Sequence, residues 1–282
     1  MNKTIVESYG KINLALDVLY KRADGYHELN TVMQQISLKD RLIFKEIDRG
    51  IKIESKGLKI PLDESNLVYK TWKYLRDLSG VESGIHIVIE KNIPVAAGLA
   101  GGSSNAAATL KALNQIWDLN LSLEELMEIG VKLGADIPFC LLGGTALGKG
   151  IGNILTPLKP FKDVHILLGN PGLGVSSEYA YNKLNLGDHH NMDISKLISC
   201  MDKRDLKCVG ENFKNIMEAI IIEEHPIIQK IKDNMMASGS LGTLMSGSGP
   251  TVFGLFENEE TIIAAREKLL EIIDKVYICK TI

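Results

Sequence analysis

The stretch Pro94-Val95-Ala96-Ala97-Gly98-Leu99-Ala100-Gly101-Gly102-Ser103-Ser104-Asn105 leaves this chain few ways to fold. A β-branched run over residues 85–91 leads into it, and a helix-forming run from Ala106 leads out. Three glycines and three alanines keep side-chain bulk away from whatever approaches the turn. Gly101-Gly102 can adopt backbone angles closed to other residues, and Ser103 or Ser104 suits the N-cap of the helix. Such a helix start presents unpaired N–H groups at the positive end of the helix dipole, which is what a nucleotide phosphate requires. The turn lacks the lysine of GxxxxGK[ST] and is not a GxGxxG fingerprint. A tight connection packed against a sheet is the competing reading.

Composition bounds the function classes. At 282 residues the chain suits one large domain or two modest ones. Thirty-two basic against thirty-five acidic residues give a formal charge of -3, which argues against a broad nucleic-acid surface. The four cysteines, Cys140, Cys200, Cys208 and Cys279, form no CxxC pair or zinc spacing and read as scattered thiols of a reducing cytosol. His189 and His190 lie in a polar loop over 185–193 with no third ligand at useful spacing, so no metal site is expected. No apolar run approaches a membrane span. Residues 1–7 read as the start of a first strand rather than a secretory segment. A cytoplasmic protein without membrane, nucleic-acid or obligate protein partners is expected.

Residues 5–19 alternate with period two. Gly10, Ile12, Leu14, Leu16 and Val18 share one face, and Tyr9, Lys11, Asn13, Ala15 and Asp17 share a polar one. Lys11 and Asn13 can therefore reach one ligand, or form part of a solvated strand face. Asp24-Gly25 signals a turn. Tyr26 and His27 after it offer an aromatic plane and a ring nitrogen, or a lid over the core and a surface histidine. Residues 31–38, 41–47 and 51–54 read as three strands, 66–78 as a helix with a buried stripe, and 122–133 as a helix opened by a Ser122–Glu125 capping box. Asp136 stands in an otherwise apolar stretch; it caps the short helix around Pro138, serves chemistry, or does both. A domain boundary is expected between Gly150 and Pro160. Beyond it, a strand over 163–168, a helix holding Tyr179 and Tyr181, helices near 193–201, 211–222, 226–237 and 260–271, and strands over 252–256 and 275–280 suggest a smaller α+β domain. The late loop Leu244–Thr251 alternates glycine and serine and reads as a tight turn at the edge of a site.

Three segments together, Tyr9-to-Leu14, Pro94-to-Ala106 and Met245-to-Thr251, resemble the motifs of the GHMP kinases. The runs Gly10-Lys11-Ile12-Asn13-Leu14, Arg22-to-Leu29 with its Asp24-Gly25-Tyr26-His27, and Gly134-Ala135-Asp136-Ile137-Pro138-Phe139 are more discriminating. They resemble the branch acting on 4-(cytidine 5'-diphospho)-2-C-methyl-D-erythritol. The resemblance covers essentially the whole chain. It implies a two-domain α+β GHMP-kinase-like fold with the active site in the cleft between domains, an ATP-binding domain over 1–155 and a C-terminal domain over 156–282. It implies ATP and Mg²⁺ as cofactors, and phosphorylation of the acceptor's 2-hydroxyl. Lys11 and Asp136 match the catalytic pair flanking that hydroxyl. Pro94, Gly98, Leu99, Ala100, Gly101, Gly102, Ser103 and Ser104 match the phosphate loop, and adenine is expected near Asn66 and Lys91. Asn13, Tyr26, His27, Asp136, Ser177, Tyr181 and Gly247 are the implied substrate contacts, with Tyr179 the alternative to Tyr181 for stacking on cytosine. Ser104 is a candidate partner for phosphate or for water on Mg²⁺. Gly10 and the run Val95-Ala96-Ala97 depart from the family's usual residues while keeping small side chains. Other kinases of this family, acting on mevalonate or homoserine, and a non-catalytic binding protein on the same scaffold are the competing functions.

Overall fold

The computed structural model describes residues 3–187 and 192–282. His189 and His190, expected at the surface, lie outside the described residues. The architecture is α+β. In chain order the elements are β1 (Lys3–Lys21), β2 (His27–Ile47), β3 (Ile51–Gly57), α1 (Leu67–Ser79), β4 (Gly84–Lys91), α2 (Gly101–Ile116), α3 (Leu123–Leu133), α4 (Ile137–Leu142), β5 (Thr145–Gly150), β6 (Ile154–Pro157) and β7 (His165–Asn170). They continue with α5 (Ser177–Lys183), α6 (Ser195–Lys203), α7 (Leu206–Glu211), β8 (Lys214–Asn215), α8 (Glu218–Glu224), α9 (Ile227–Ala237), β9 (Gly242–Met245), β10 (Val252–Phe256), α10 (Glu259–Leu270) and β11 (Lys275–Lys280).

Two compact units form, and they interleave along the chain. The first takes residues 1–10, 38–95 and 100–143; the second takes 11–37, 96–99 and 144–282. In the first unit β4 pairs antiparallel with β2 from Arg41 to Ile47 and parallel with β3. The apolar stripe of α1, Val68, Trp72 and Leu75, packs with the small-residue face of α2 and with Phe44, Ile85 and Ile87 of the strands. Asn66 caps α1, and Gly80 ends it at φ 71°, a left-handed angle suited to glycine. The Ser122–Glu125 capping box opens α3 as expected. In the second unit β2 pairs with β5 from Leu29 to Gln34, and β5 with β6. A separate four-stranded antiparallel sheet runs β11-β7-β10-β9, with α9 and α10 supplying Ile228, Ile231, Ile262 and Leu269 to its core. The β5–β6 hairpin occupies the stretch where a domain boundary was expected, and it belongs to the second unit.

Four expectations are corrected. Residues 31–38 and 41–47 form one strand, because the Asp40 carboxylate between them is satisfied by hydrogen bonds and does not end the ladder. The helix expected over 211–222 is broken. Lys214 and Asn215 pair parallel with Ala15 and Leu16 of β1, tertiary pairing overriding local propensity. The polar face of β1 is not solvated, since every residue from Gly10 to Val18 is buried. Finally, the cysteines are not all thiols. Arg204 ends α6 at a left-handed φ of 54°, α7 follows at once, and Cys200 and Cys208 come to a Cα–Cα distance of 5.6 Å, joined as a disulfide. Cys140 and Cys279 are buried without a disulfide.

Candidate active site

The glycine-rich stretch is shared between the two units: residues 96–99 belong to the second, and those on either side to the first. Its second half begins α2, but no serine caps it. The N-cap is Ala100, at φ 53° and without a side-chain cap bond. Gly101, Gly102 and Ser103 become the first three helical residues, whose amides have no partner inside the helix. The Ser104 amide already donates to the Ala100 carbonyl at 2.8 Å. The Ser104 hydroxyl is likewise committed: it donates to the Tyr9 carbonyl at 2.6 Å and accepts from Ser8 Oγ at 2.7 Å. Ala96 and Ala100 both hold positive φ, 50° and 53°, a strain of about 1 kcal/mol or more each that persists where the surroundings over-determine it.

The two adjacent glycines answer different needs. A Cβ on Gly101 would lie 2.8 Å from Lys91 Nζ and 2.9 Å from Ile93 Cγ2, so this glycine permits close packing. A Cβ on Gly102 would meet only Leu67 Cδ1, at 3.7 Å, and the residue is exposed. Packing explains the first and not the second.

Lys91 and Asn66, the two positions expected near adenine, both have internal partners. Asn66 Oδ1 accepts from the Val68 amide at 2.9 Å, and Asn66 Nδ2 donates to the Pro61 carbonyl at 2.6 Å. The Lys91 ammonium forms an ion pair with Asp40; the two side chains are 2% and 0% exposed. Burial pushes the Lys91 pKa down, against the opposing pull of the Asp40 charge. Asp136 stands at the N-cap position of α4, half-buried, yet makes no side-chain cap bond to that helix.

The second unit gathers the other candidates. Lys11 and Asn13 are 5% and 3% exposed. Lys11 Nζ donates to Asn13 Oδ1 at 2.6 Å, Asn13 Nδ2 donates to Thr31 Oγ1 at 2.8 Å, and Thr31 Oγ1 donates to the Ala15 carbonyl at 2.6 Å. The carbonyl can only accept, so the relay has one direction and turns the Asn13 oxygen toward the ammonium. The Lys11 amide donates to the Leu99 carbonyl at 3.1 Å, tying β1 to the first half of the glycine-rich stretch.

That half packs against the late loop. A Cβ on Gly98 (φ 72°) would fall 2.0 Å from the Ser246 carbonyl oxygen, and Ser246 Oγ donates to the Gly98 carbonyl at 2.9 Å. A Cβ on Gly247 would lie 3.4 Å from Asn13 Oδ1, so the loop tip approaches the lysine–asparagine pair. Asn215 Nδ2 donates to the carbonyls of Met245 and Gly247, both at 2.8 Å, and Glu218 Oε1 accepts from the Met245 amide at 2.8 Å. Ser177 Oγ lies 3.1 Å from Ser248 Oγ, placing the first residue of α5 beside the same loop.

His27 stacks on Tyr181 with ring centroids 4.9 Å apart and 13° between planes. Burial, with the Lys21 charge adding, holds the His27 pKa below its ordinary value. Tyr179 points elsewhere, its hydroxyl donating to Glu224 at 2.5 Å, so the geometry selects Tyr181 over Tyr179 as partner of His27. Tyr26 follows a turn closed by its own amide donating to Asp24 Oδ1 at 3.1 Å, and is 59% exposed. Sequence reasoning missed Asp40, Asn105, Thr31 and Asn215. Only Asp40 leaves a trace, a carboxylate inside a run of strand-forming residues.

These segments coincide with known sequence families. The GHMP kinases N terminal domain matches residues 66–144 and the GHMP kinases C terminal domain matches residues 197–274. The chain belongs to the GHMP kinase family and has its two-domain α+β fold. Within that family it is 49% identical to the 4-diphosphocytidyl-2-C-methyl-D-erythritol kinase of Clostridioides difficile (strain 630), over 97% of this chain and 93% of that one. A crystal structure of 4-(cytidine 5'-diphospho)-2C-methyl-D-erythritol kinase superposes with a TM-score of 0.84 at 31% identity, covering 99% of both chains. The L. major mevalonate kinase superposes with a TM-score of 0.79 at 18% identity, covering 100% of this chain and 96% of that one, a likeness of fold alone.

Proposed function

We propose that this chain transfers the γ-phosphoryl group of ATP to the 2-hydroxyl of 4-(cytidine 5'-diphospho)-2-C-methyl-D-erythritol. The products are the 2-phosphate and ADP, a step of non-mevalonate isoprenoid precursor synthesis. The observation that carries this reading is likeness along nearly the whole chain to a kinase named for that substrate. In functional terms, residues 1–155 form the ATP-binding domain and 156–282 the C-terminal domain.

The site residues then take the following roles. Phosphoryl transfer asks for positioning and charge neutralisation more than for covalent chemistry. The amides of Gly101, Gly102 and Ser103, at the positive end of α2, receive the terminal phosphates. The open side of Gly102 gives them access, and Pro94, Gly98, Leu99 and Ala100 shape the turn. Ser104 is the candidate partner for phosphate or for water on Mg²⁺, its hydroxyl held in place by Ser8 and the Tyr9 carbonyl. Adenine lies near Asn66 and Lys91.

Lys11, held by Asn13, stabilises the charge on the acceptor oxygen and on the phosphoryl group in flight. Asp136 receives the 2-hydroxyl proton as the new P–O bond forms and the bond to the β-phosphate oxygen breaks. His27 and Tyr181 supply stacking and a ring nitrogen for cytosine, Tyr26 a second aromatic face, and Ser177 and Gly247 polar contacts to the remainder of the acceptor. Among the described residues no three His, Cys, Asp or Glu side chains group to hold a metal. Mg²⁺ would accompany the triphosphate and neutralise its charge, with the Ser104 hydroxyl the candidate side chain on its side of the loop. Among the described residues no helix is long and apolar enough to cross a membrane, and use of ATP sets the reaction in the cytoplasm.

A coupled ADP-release assay with ATP, Mg²⁺ and the cytidylated methylerythritol, run beside mevalonate, homoserine and galactose, tests the reading. Turnover confined to the cytidylated acceptor supports it. Equal turnover of an acceptor without the cytidine group overturns it.

A further inference from the structure

Beneath the first turn of α2 lies a buried polar cluster whose central carboxylate has no part in the reaction as described. Its centre is Asp40, fully buried in the middle of β2. Each carboxylate oxygen accepts two hydrogen bonds. Oδ1 takes the amides of Asn92, at 2.7 Å, and Ile93, at 2.8 Å. Oδ2 takes Asn105 Nδ2, at 2.8 Å, and the Lys91 ammonium. That fills the acceptor capacity of a carboxylate. Asn105, on the second turn of α2, also donates to Ser8 Oγ at 2.9 Å, and Ser8 donates to Ser104. Lys91 Nζ occupies the space beside Gly101, 2.8 Å from where a Cβ on that residue would lie.

One side chain of β2 thus ties the end of β4, the two residues after it, and the start of α2. A core carboxylate is costly to bury, and an apolar replacement would pack as well. What an apolar residue cannot do is set four donors from three segments at fixed positions. Those segments flank the amides of Gly101 to Ser103.

We propose that Asp40 is the positioning residue of the nucleotide site: it fixes the first turn of α2 where its free amides meet the terminal phosphates of ATP. This rests on the kinase reading above, and its own failure can be told apart from the failure of that reading. Asp40→Asn keeps the size of the side chain and an acceptor for Asn92 and Ile93. It turns an NH₂ group toward Lys91 and Asn105, donor against donor. The expected result is a KM for ATP raised at least about tenfold with the KM for the cytidylated acceptor within about twofold of wild type. A purely structural role would lower the amount of active protein, and so the apparent kcat, while leaving both KM values in place.

The binding arm uses calorimetric titration of the full chain with MgATP and, separately, with CDP. Wild type binds both, and Asp40→Asn loses affinity for MgATP alone. If Asp40→Asn does not fold, Asn105→Ala removes one arm of the cluster without stranding a charge, and should raise the KM for ATP about threefold. An unchanged KM for ATP in whichever of these variants folds, or equal rises for both substrates, overturns the proposal. Wild-type protein that fails to bind MgATP removes the kinase reading itself, and the proposal with it.

Discussion

The two glycine-rich turns of this chain are supported in opposite ways. Behind Gly101–Ser104 stands an ion pair out of reach of water, Asp40 with Lys91. Behind Ser246–Gly249 stands a neutral amide, Asn215, bonded to the carbonyls on either side of Ser246, with the Glu218–Lys232 pair beside it at 15% and 16% exposure. The late turn is a connection between paired strands, Met245 being registered opposite Val252. Its ends are already fixed by the ladder, and only its tip needs holding. The earlier turn opens a helix whose leading amides have no partner within the helix. It can borrow no ladder, so its position has to come from side chains. Charge-assisted bonds are shorter and stronger than neutral ones; the earlier turn has its own fully buried, while the one Glu218 gives the Met245 amide at the late turn comes from a partly exposed pair.

Breaking each support should expose this difference. Lys91→Met strands the Asp40 carboxylate in the core, and loss of one partner from a buried pair costs about 3–5 kcal/mol. Asn215→Ala leaves two carbonyls of the late turn without their donor, at about 1–3 kcal/mol. Denaturant unfolding of the two variants ranks them, and an Asn215 variant less stable than the Lys91 variant would reverse the comparison.

A second contrast is kinetic. Lys11→Ala and Asp136→Asn should each lower turnover by about a hundredfold or more, with nucleotide affinity less affected. Wild-type-like turnover in either removes its role.

How far the sequence disclosed this arrangement follows from what each residue does locally. Strand, small-residue turn and helix were legible because period, glycine density and capping residues act within a few positions. Lys11 and Asn13 were legible as a pair because alternation places them on one face. That the face is buried was not, since it depends on strands brought in from elsewhere. The helix start was misread by three or four residues: Ser103 or Ser104 suggests a cap, yet α2 begins at Gly101 behind an alanine in the left-handed region. Asp40 and Asn215 escaped because their partners lie 51 to 65 and 30 to 32 positions away. No local pattern encodes such a bond. The joined cysteines escaped for a related reason, since the reversal at Arg204 that brings them together has no glycine to announce it.

Gly101 and Gly102 sharpen the comparison within a single helix turn. Gly101→Ala drives a methyl group toward Lys91 Nζ and Ile93, and overpacking of this kind costs about 1–3 kcal/mol. Gly102→Ala meets open space inside a helix, where alanine is favoured over glycine by about 1 kcal/mol. Stability should therefore fall in the first variant and hold or rise in the second. The KM for ATP should nevertheless rise in both, because on the proposed reading the Gly102 methyl group would stand where phosphate approaches. A Gly102→Ala protein that is more stable and unchanged toward ATP would mean that this face of the turn receives no ligand.

The smallest expected effect distinguishes the two substrates by pH. Burial holds His27 below the usual histidine value near 6.5, and the neighbouring Lys21 charge acts in the same direction. The unfolded chain then binds more protons than the folded one as the pH falls through that value. The stability contributed by the neutral ring is therefore present above about pH 6.5 and lost below it. His27 is partly exposed, so the loss is slight in unfolding measurements and better seen in binding. Protonation draws the ring toward water and away from Tyr181. The KM for the cytidylated acceptor should accordingly rise severalfold between about pH 7.5 and 5.5, while the KM for ATP stays nearly level. His27→Gln should flatten the acceptor profile. A profile of the same shape in that variant would assign the pH dependence to another group and leave the stacked pair a structural contact.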